Sequence, residues 1–522
     1  MRISHFTALL LACVLLFLPT VGLAVPSSLS VAVVADDHLA LRPLELNQRD
    51  VVSLLGLVYE GLFEMDDNAQ PQPKLAYAYS FSNDGRKLQV TLRQDVTFHN
   101  GEALTSADVI ATLDYMLELS GFDDNLDSET PVDERGLYYS TFYSIRSWEA
   151  TDDYTVVFTL RRASYGSLYA LTFPILPVSQ VASDMPSGTG PYKYDGYEQG
   201  SAIWLTANDA WWNRAPQVRY IRASIYDTAD QALNAFDTQS VDIAMTRSIN
   251  ASRYSGSLNT FSLNARTRQL EVLLVNRAYK DFKSDDNGQN LLRQAIAYAI
   301  NRSELISSAY QNMATVAYTP IPSGTWLSNE SAIRDIYDPL MAASLLDSAG
   351  YKLADDGNRY KDGKRWKSCA FSSTMSPDRP RAPTPPTKSS ISWPPSASRL
   401  TWPPGRAPMC RPSSSAATIL RPVRPEFRRF PDPGFTLTST ASCNYTRYRS
   451  NDMNDLITQL RKSYTADSYQ SAMRLIQDQF EQDQPYICLY WRSAVLLSRE
   501  TFTDVRDVRE LEMLRGIENY GN

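Results

Sequence analysis

Apolar and polar residues alternate along a short stretch that follows Asn83-Asp84-Gly85. Every second residue from Lys87 to Leu92 is apolar, which is the period of a β-strand with one buried face. The Asn-Asp-Gly in front of it is a turn signal, and Val96–His99 alternates in the same way and predicts a second strand. A helix is predicted to begin at Thr105, because Thr can cap a helix and Asp108 follows three residues later.

Two helices and a buried strand are predicted further along the chain. Asp230–Phe236 and Ser468–Phe480 repeat apolar residues with the period of an amphipathic helix. Leu270–Asn276 is apolar almost without interruption, which is typical of a strand that is buried on both faces. We expect this strand to mark the passage to a second lobe.

The amino-terminal segment has the pattern of an export signal. Arg2 gives a positive start, Thr7 to Leu18 is apolar, and Gly22-Leu23-Ala24 supplies small residues for cleavage. We therefore expect residues 1–24 to be a signal peptide and the mature chain to lie outside the cytoplasm. A lipid anchor at Cys13 is not expected, because the apolar run continues past Cys13 to Leu18 and cleavage there would cut it midway.

Length and charge narrow the class of protein. A chain of 522 residues exceeds one compact core, so two or three lobes are expected. The formal net charge of -7 argues against nucleic acid and anionic membrane surfaces as partners, because both need a basic face. The aromatic content of 11% includes thirty Tyr, which suits a polar pocket walled by rings, although core packing explains most of them.

Catalytic chemistry has few side chains to draw on. Of three His, only His38 and His99 follow the signal, and His99 stands in a strand and turn segment where a structural role is expected. A Ser-His-Asp triad or a zinc site needs more than these two readily supply. We expect no enzyme activity, no metal and no cofactor. Cys443 and Cys488 could pair outside the cell, but their spacing does not decide it.

Several motifs together resemble one protein family. From Val58 the chain reads V-Y-E-G-L-F-E-M-D, then P-K-L-A-Y-A-Y-S-F-S-N-D-G-R, then T-L-R-Q-D-V-T-F-H-N-G-E-A-L-T-S-A-D-V. Later blocks are the turn S-G-T-G-P-Y at 187–192, N-D-A-W-W at 208–212, the helix L-R-Q-A-I-A-Y-A-I-N-R at 292–302, the loop at 320–326 and a helix ending D-S-A-G-Y at 351. In this order they resemble the family-5 extracellular solute-binding proteins of bacterial ABC transporters.

The resemblance implies an α/β fold of the two-lobed periplasmic-binding-protein type (type II), with an extra subdomain in the first lobe. The expected first lobe consists of residues 25–58, 185–272 and the carboxyl-terminal return 492–522, and the subdomain consists of residues 59–184. The second lobe is expected at residues 273–491. Strands that cross between the lobes would join them.

The same resemblance implies a function without bond chemistry. A small solute, most commonly a peptide, would bind in the cleft, and the closed monomer would deliver it to a membrane permease whose own ATPase subunits spend ATP. Nickel complexes and sugars remain open as ligands. A ligand-sensing or chaperone-like secreted binding protein and a non-functional frameshifted product are the alternatives, and a secreted hydrolase is a weaker one. From their positions relative to the family motifs, six residues are expected at the cleft wall: Asn47, Gln48, Tyr143, Thr189, Trp326 and Asp432.

The family pattern stops near Lys367, where the composition changes. Residues 368–433 hold fifteen of the chain's thirty Pro, twelve Ser and nine Arg but no Tyr, and they show neither strand alternation nor a helical period. Two interpretations compete, a disordered Pro-rich linker or a segment at 368–429 translated out of frame. We favour the second, because the segment occupies the place of a strand, a helix and a strand of the second lobe.

This window also affects the expected ligand. In peptide-binding relatives, the resemblance implies a carboxylate two residues before the Pro-Asp-Pro motif, where it receives the peptide's amino terminus. That position is Arg429 here, and an arginine would repel an ammonium group. The chain as written therefore either binds a different group or has lost its site, unless the reading frame is corrected.

Overall fold

The computed structural model describes residues 27–36, 39–122, 138–275, 277, 282, 290–332, 336–366, 371–373, 418–421, 431–441, 443–499 and 508–519. The expected signal peptide, Cys13, Arg429 and most of the Pro-rich window lie outside these residues. The strands are β1 (Ser28–Val34), β2 (Phe63–Met65), β3 (Pro71–Pro73), β4 (Ala76–Phe81), β5 (Lys87–Leu92), β6 (Ile145–Asp152), β7 (Thr155–Leu160), β8 (Tyr192–Glu198), β9 (Ala202–Ala207), β10 (Tyr220–Tyr226), β11 (Ile243–Thr246), β12 (Phe261–Leu274), β13 (Ala314–Val316), β14 (Lys352–Leu353), β15 (Arg359–Lys361), β16 (Lys364–Arg365), β17 (Phe371–Ser373), β18 (Thr418–Arg421) and β19 (Ile487–Ser498).

Helices cover the faces and ends of these sheets. The α-helices are α1 (Arg49–Leu55), α2 (Ser106–Ser120), α3 (Ala229–Asp237), α4 (Leu291–Ala299), α5 (Arg302–Tyr310), α6 (Pro339–Ser348), α7 (Gly434–Leu437), α8 (Asn451–Leu460) and α9 (Ala466–Asp483). Short 3₁₀ turns lie at Tyr139–Tyr143, Tyr165–Leu171, Val178–Gln180, Ile249–Tyr254, Glu330–Ala332 and Ile517–Asn519. None of the helices in the described ranges combines the length and the apolar character that crossing a membrane requires.

One ten-stranded sheet runs through the molecule in the order β17-β18-β12-β19-β11-β1-β10-β9-β8, with β13 also paired to β19. The antiparallel strands β12 and β19 pair from Phe261 opposite Ser498 to Leu273 opposite Ile487. β11 joins the carboxyl half of β19, whereas β13 joins its amino half and β18 joins the carboxyl end of β12. We call the β11 side the first lobe and the β18 side the second lobe. Both halves of the molecule therefore share the pair β12 and β19.

The register of that pair shifts where the halves meet. Arg266 pairs with Ser493 and Leu270 pairs with Trp491, so three residues of β12 stand opposite Arg492 alone. Thr267 Oγ1 donates to the Arg492 carbonyl at 2.6 Å, which holds the irregular turn in place. Extra residues on one strand bend it and increase its twist. The crossing strands thus have a built-in bend between the lobes.

A separate four-stranded sheet, ordered β4-β5-β7-β6, packs with α2. The predicted turn and the strand at Lys87–Leu92 are confirmed, with Gly85 at a φ of +66°. The predicted strand at Val96–His99 is wrong, because only an isolated bridge joins Thr97 to Ala103. The backbone there forms a tight turn instead, and the His99 N–H donates to the Gly188 carbonyl at 2.8 Å.

The helix predicted over Leu292–Arg302 is two helices. Ile300 leaves the helical conformation, and the Asn301 side chain then caps α5 by accepting from the Glu304 N–H at 3.0 Å. The predicted helix before Tyr351 is confirmed as α6. Asp338 caps its start, and Gly350 follows its end with a φ of +89°.

Two short strands lie inside the window where the sequence predicts none. β17 and β18 pair in parallel, and β18 pairs with the edge of β12. Both runs, Phe371–Ser373 and Thr418–Arg421, lack proline, so each retains the backbone donors that a strand needs. Elsewhere in the second lobe, Cys488 is buried and no disulfide joins it to Cys443.

Candidate solute cleft

Aromatic rings from both sides of the molecule meet between the four-stranded sheet and the second lobe. Tyr165 and Tyr169 come from one 3₁₀ turn, Trp326 from the loop after β13, and Tyr469 from α9. The Trp326 ring centroid lies 5.5 Å from that of Tyr165 and 6.3 Å from that of Tyr469, with which it is stacked. Trp326 Nε1 donates to the Tyr169 hydroxyl at 2.7 Å. We call these four residues the aromatic cluster.

The phenol groups of the cluster keep polar partners. The Tyr169 hydroxyl donates to the Ala69 carbonyl at 2.9 Å, and the Tyr469 hydroxyl donates to the Pro431 carbonyl at 2.8 Å. Burial raises the pKa of both phenols well above the usual value, so both stay neutral at physiological pH. Neutral rings with fixed hydroxyls thus form a packed cluster at the contact between the two sides, with Tyr165, Tyr169 and Tyr469 buried.

Backbone hydrogen bonds close the two sides on each other around this cluster. The Trp326 N–H donates to the Asn68 carbonyl at 2.9 Å, and the Tyr165 N–H donates to the Ser463 carbonyl at 2.7 Å. At the rim, the Tyr464 hydroxyl donates to the Asn83 carbonyl at 2.9 Å. These bonds join segments that are far apart in the chain, so the structure shows the two sides in contact.

Asp432 lies beside the cluster, with its carboxylate already bonded. Oδ1 accepts from the Gly434 N–H at 2.7 Å, and Oδ2 accepts from Arg461 Nε at 2.7 Å. This arrangement fixes the Pro-Asp-Pro turn and holds Arg461. Tyr469 connects the two predicted wall residues, because its ring stacks on Trp326 and its hydroxyl bonds to the Pro431 carbonyl.

Thr189, another predicted wall residue, is fully buried away from the cleft. Its hydroxyl donates to Glu60 at 2.9 Å, and the indole N–H groups of Trp211 and Trp212 donate to the same carboxyl at 3.3 and 2.8 Å. Burial raises the pKa of Glu60, while Lys74 at 3.6 Å opposes that shift. Thr189 and both tryptophans therefore tie together three chain segments of the first lobe.

The other three predicted wall residues lie apart from the aromatic cluster. Asn47 is exposed, and Gln48 exchanges two hydrogen bonds with Asp36, both at 3.1 Å. Tyr143 is 53% exposed and packs its ring on Phe122 at 5.5 Å. Of the six residues, the structure brings together Trp326 and Asp432.

Sequence reasoning missed Tyr165, Tyr169 and Tyr469 as partners of Trp326. Two of them lie in a 3₁₀ turn, and such a short turn leaves no periodic signal. Tyr469 lies on the predicted amphipathic helix, where an apolar face indicates burial but not the partner. The motifs at 187–192 and 320–326 indicated two loops of the expected cleft, but they did not indicate the distance between those loops.

The loop at Ser187–Tyr192 needs its two glycines because it lies very close to the backbone of another segment. A Cβ on Gly188 would overlap the Val58 carbonyl, and a Cβ on Gly190 would crowd the Leu57 carbonyl. Neither Gly188 nor Gly190 has a positive φ. Glycine is therefore required at both positions by the lack of space and not by the backbone conformation. His99 fastens the same loop, since Nδ1 accepts from the Gly188 N–H at 3.2 Å and Nε2 donates to the Gly190 carbonyl at 3.0 Å.

Residues 70–383 match the model of the bacterial extracellular solute-binding proteins, family 5 Middle. This chain belongs to that family. Protein XP55 of Streptomyces lividans is 28% identical over 322 residues, which are 59% of this chain and 55% of the relative. The glutathione-binding protein GsiB of Pectobacterium atrosepticum is 28% identical over 335 residues, or 62% of this chain and 61% of the relative. The family-5 chain thus spans about six tenths of the length of the curated relatives it matches.

The fold is shared with solved structures of the family. The oligopeptide-binding protein AppA of Bacillus subtilis, in complex with a nonapeptide, aligns with a TM-score of 0.61 at 19% identity. The alignment covers 95% of this chain and 99% of that one. This family-5 protein is therefore a two-lobed α/β protein of the periplasmic-binding-protein type.

Proposed function

We propose that this family-5 protein is the extracytoplasmic substrate-binding component of an ABC importer. It captures a solute in the cleft between its lobes and delivers it to a membrane permease. The observation that carries the proposal is the crossing pair β12 and β19, which bends at Arg266–Leu270 where the lobes meet. Two lobes on a bent pair of strands can close around a ligand by rotating about that point.

A peptide is the proposed solute. The relatives named GsiB and AppA support this class, because the first is described as glutathione-binding and the second as oligopeptide-binding. The aromatic cluster fits an extended peptide, since its rings can pack on side chains while backbone groups make the hydrogen bonds. We propose Trp326 and its cluster partners as wall residues, with Asp432 holding the adjoining turn.

Calorimetric titration of the purified chain with a panel of short peptides tests this proposal. We expect saturable binding by part of the panel and at least tenfold weaker binding after Trp326→Ala, because a buried aromatic anchor is worth about 2 kcal/mol or more. Trp148→Ala is the matched control, since Trp148 lies on β6 and bonds to Asp114 on α2. Equal losses in both variants, or no binding by any peptide, would contradict the peptide proposal.

The domain boundaries and the reading frame are further proposals. We propose the boundaries at residues 58, 184, 272 and 491 that the motifs predict, and we propose that residues 368–429 are read out of frame. The family model supports the second proposal, because its match ends at residue 383, inside the Pro-rich window. An accurate DNA read across codons 360–435 is expected to restore alternating strands and an acidic residue at position 429. The same Pro-rich run in closely related genes would refute it.

A further inference from the structure

A cavity of about 520 Å³ lies at the rim of the contact between the two sides. Its cationic residues come in two pairs, Arg86 with Arg162 and Arg461 with Lys462. The first pair flanks β5 and β7 of the four-stranded sheet, and the second pair follows α8 of the second lobe. The cavity therefore exists only while the two sides are in contact, as the Tyr464 bond to Asn83 holds them here.

The charges that line the cavity do not balance. Four cationic side chains face one lining carboxylate, that of Asp84. Asp84 Oδ1 already accepts from the Ser82 hydroxyl at 2.6 Å and from the Arg86 N–H at 3.0 Å, and these bonds lower the pKa of Asp84. Its carboxylate thus serves the Asn-Asp-Gly turn.

Among the described residues, three of the four cations, Arg86, Arg162 and Lys462, have no carboxylate bonded to their side chains. Arg461 donates to Asp432 and Arg86 Nη1 donates to the Arg161 carbonyl at 2.8 Å. Within the described part of the chain, Arg162 and Lys462 form no ion pair. Burial and then the nearby Arg461 lower the pKa of Arg162, while Asp432 opposes this shift, so the closed contact places like charges together. Arg86, Arg162 and Lys462 are exposed and Arg461 is half-buried, and all four converge on one concave space.

We propose that this cavity binds an oxyanion group, a phosphate, sulfate or carboxylate, and that the bound anion favours the closed arrangement of the lobes. Arg guanidinium groups match the geometry of such oxygens, and a cleft lined by one sign of charge concentrates the opposite ion. The anion supplies the missing negative charge to cations from both sides at once. It therefore binds the closed form more tightly than the open form, which shifts the equilibrium toward closure. Only the coupling to closure rests on the proposed transport function.

Titration of the full chain with pyrophosphate at low ionic strength, without peptide, tests the site. We expect saturable binding that weakens at least tenfold in the double variant Arg162→Gln and Lys462→Gln, and that weakens with added salt. The matched control is Arg222→Gln with Lys352→Gln, which removes the same charge from exposed residues on β10 and β14. Circular dichroism checks that both variants fold. No saturable binding, an equal loss in the control, or binding to phosphatidylglycerol vesicles but not to pyrophosphate overturns the proposal.

A second experiment, with peptide and pyrophosphate together, distinguishes a carboxylate of the solute from a separate ion. It also tests the anion site independently of the peptide proposal. Peptide that pyrophosphate displaces would assign the site to the solute's own carboxylate, whereas simultaneous binding would assign it to a separate ion. Closure is followed by small-angle X-ray scattering, and a smaller radius of gyration with pyrophosphate is expected in the wild type and the control but not in the site variant. Failure of every peptide to bind would refute the peptide proposal and leave the pyrophosphate result standing.

Discussion

His99 sits between two backbone groups of the loop Ser187–Tyr192, and its ring must be neutral to bond to both. Nδ1 accepts from the Gly188 N–H, so the proton of the neutral ring is on Nε2, which faces the Gly190 carbonyl. Burial lowers the pKa of His99 to about 4 from a usual 6.5, and Lys193 adds to the shift while Gly190 opposes it. A sequence reading gave His99 a structural role from its strand and turn context, but not this loop as its partner.

We expect the free energy of unfolding to fall as the pH is lowered from 6.5 to 4 because of this residue. The unfolded chain takes up a proton at His99 in that range and the folded chain does not, so acid favours unfolding by up to about 3 kcal/mol. His99→Gln keeps a donor and an acceptor but does not titrate. Urea unfolding at several pH values should therefore give a flatter profile for His99→Gln between pH 4 and 6.5. Parallel profiles would show that His99 does not contribute.

Gly188 is packed so closely against a neighbouring backbone segment that a larger side chain does not fit. We expect Gly188→Ala to lower the free energy of unfolding by about 3 kcal/mol, because its Cβ would overlap the Val58 carbonyl and overpacking of a tight site is costly. Gly56→Ala is the control, since its Cβ would lie 3.4 Å from the Ser53 carbonyl and its φ is -60°. Thermal unfolding of the two variants decides the point, and similar midpoints would show that the loop can shift away.

At the scale of elements, the start of helix α2 shows which of two predicted capping residues accepts the hydrogen bonds. The sequence pairs Thr105 with Asp108, and the structure makes Asp108 the shared acceptor. Its Oδ2 accepts from the Thr105 N–H at 2.8 Å and from the Thr105 hydroxyl at 3.0 Å, and its Oδ1 accepts from the Val178 N–H at 2.9 Å. Asp108 thereby joins the start of α2 to the turn at Val178–Gln180.

We expect Asp108→Ala to cost about 2 kcal/mol of stability, because it leaves three donors unsatisfied at a buried site. Thr105→Ala should cost only about 1 kcal/mol, which is typical for a helix cap. Glu118→Ala, on the exposed face of the same helix, should be close to neutral. Urea unfolding of the three variants orders the effects, and a larger loss for Thr105→Ala than for Asp108→Ala would contradict this assignment.

Elements were predictable wherever one local pattern decided them. Alternation predicts the strand at Lys87–Leu92, an amphipathic period predicts helix α3, and a glycine predicts the end of α6 at Gly350. The structure confirms all three, and Gly350 has a positive φ. Val96–His99 alternates as well, but its backbone bonds to a distant loop rather than to a neighbouring strand. The break at Ile300 was hidden because apolar residues continue through it. The first case was decided by a bond to Gly188, 89 residues away, and the second by the Asn301 cap of α5.

At the scale of the whole molecule, a buried ionic cluster supports the bend in β12. Glu510 accepts from the Arg268 N–H at 3.0 Å and pairs with Arg49 at 3.2 Å and Arg247 at 3.4 Å, and Arg247 also pairs with Asp50 at 2.8 Å. Burial disfavours the charged carboxyl, but the two arginines outweigh it and hold the pKa of Glu510 below its usual value. The cluster joins α1, β11 and the carboxyl-terminal segment to the bend.

We expect Glu510→Gln to lower the free energy of unfolding by about 3 kcal/mol at neutral pH, because it removes the buried charge that Arg49 and Arg247 share. The wild-type contribution is present above pH 4.5, the usual value for this group, and is lost as the pH falls through the lower folded-state pKa. The difference between variant and wild type should therefore shrink below pH 4.5. A difference that stays constant down to pH 3 would exclude a role for the ionised carboxylate.

The fold as a whole was easier to predict than the site. Motif order indicates two lobes with crossing strands, because turns, caps and strands are local features of the chain. The aromatic cluster depends on how Trp326, Tyr165 and Tyr469 are brought together by loops of no regular period. Thr189 illustrates the same limit, since its motif suggested a place at the cleft wall but its hydroxyl donates to the buried Glu60 carboxyl.

The position of β19 also bears on how the molecule is made. This strand comes late in the chain, at residues 487–498, yet it lies between β12 and β11 in the middle of the ten-stranded sheet. Neither half of that sheet can complete its hydrogen bonding until β19 has been synthesised. Pairing that depends on such distant segments is slow to form. The ten-stranded sheet therefore stays incomplete through most of the chain's translation.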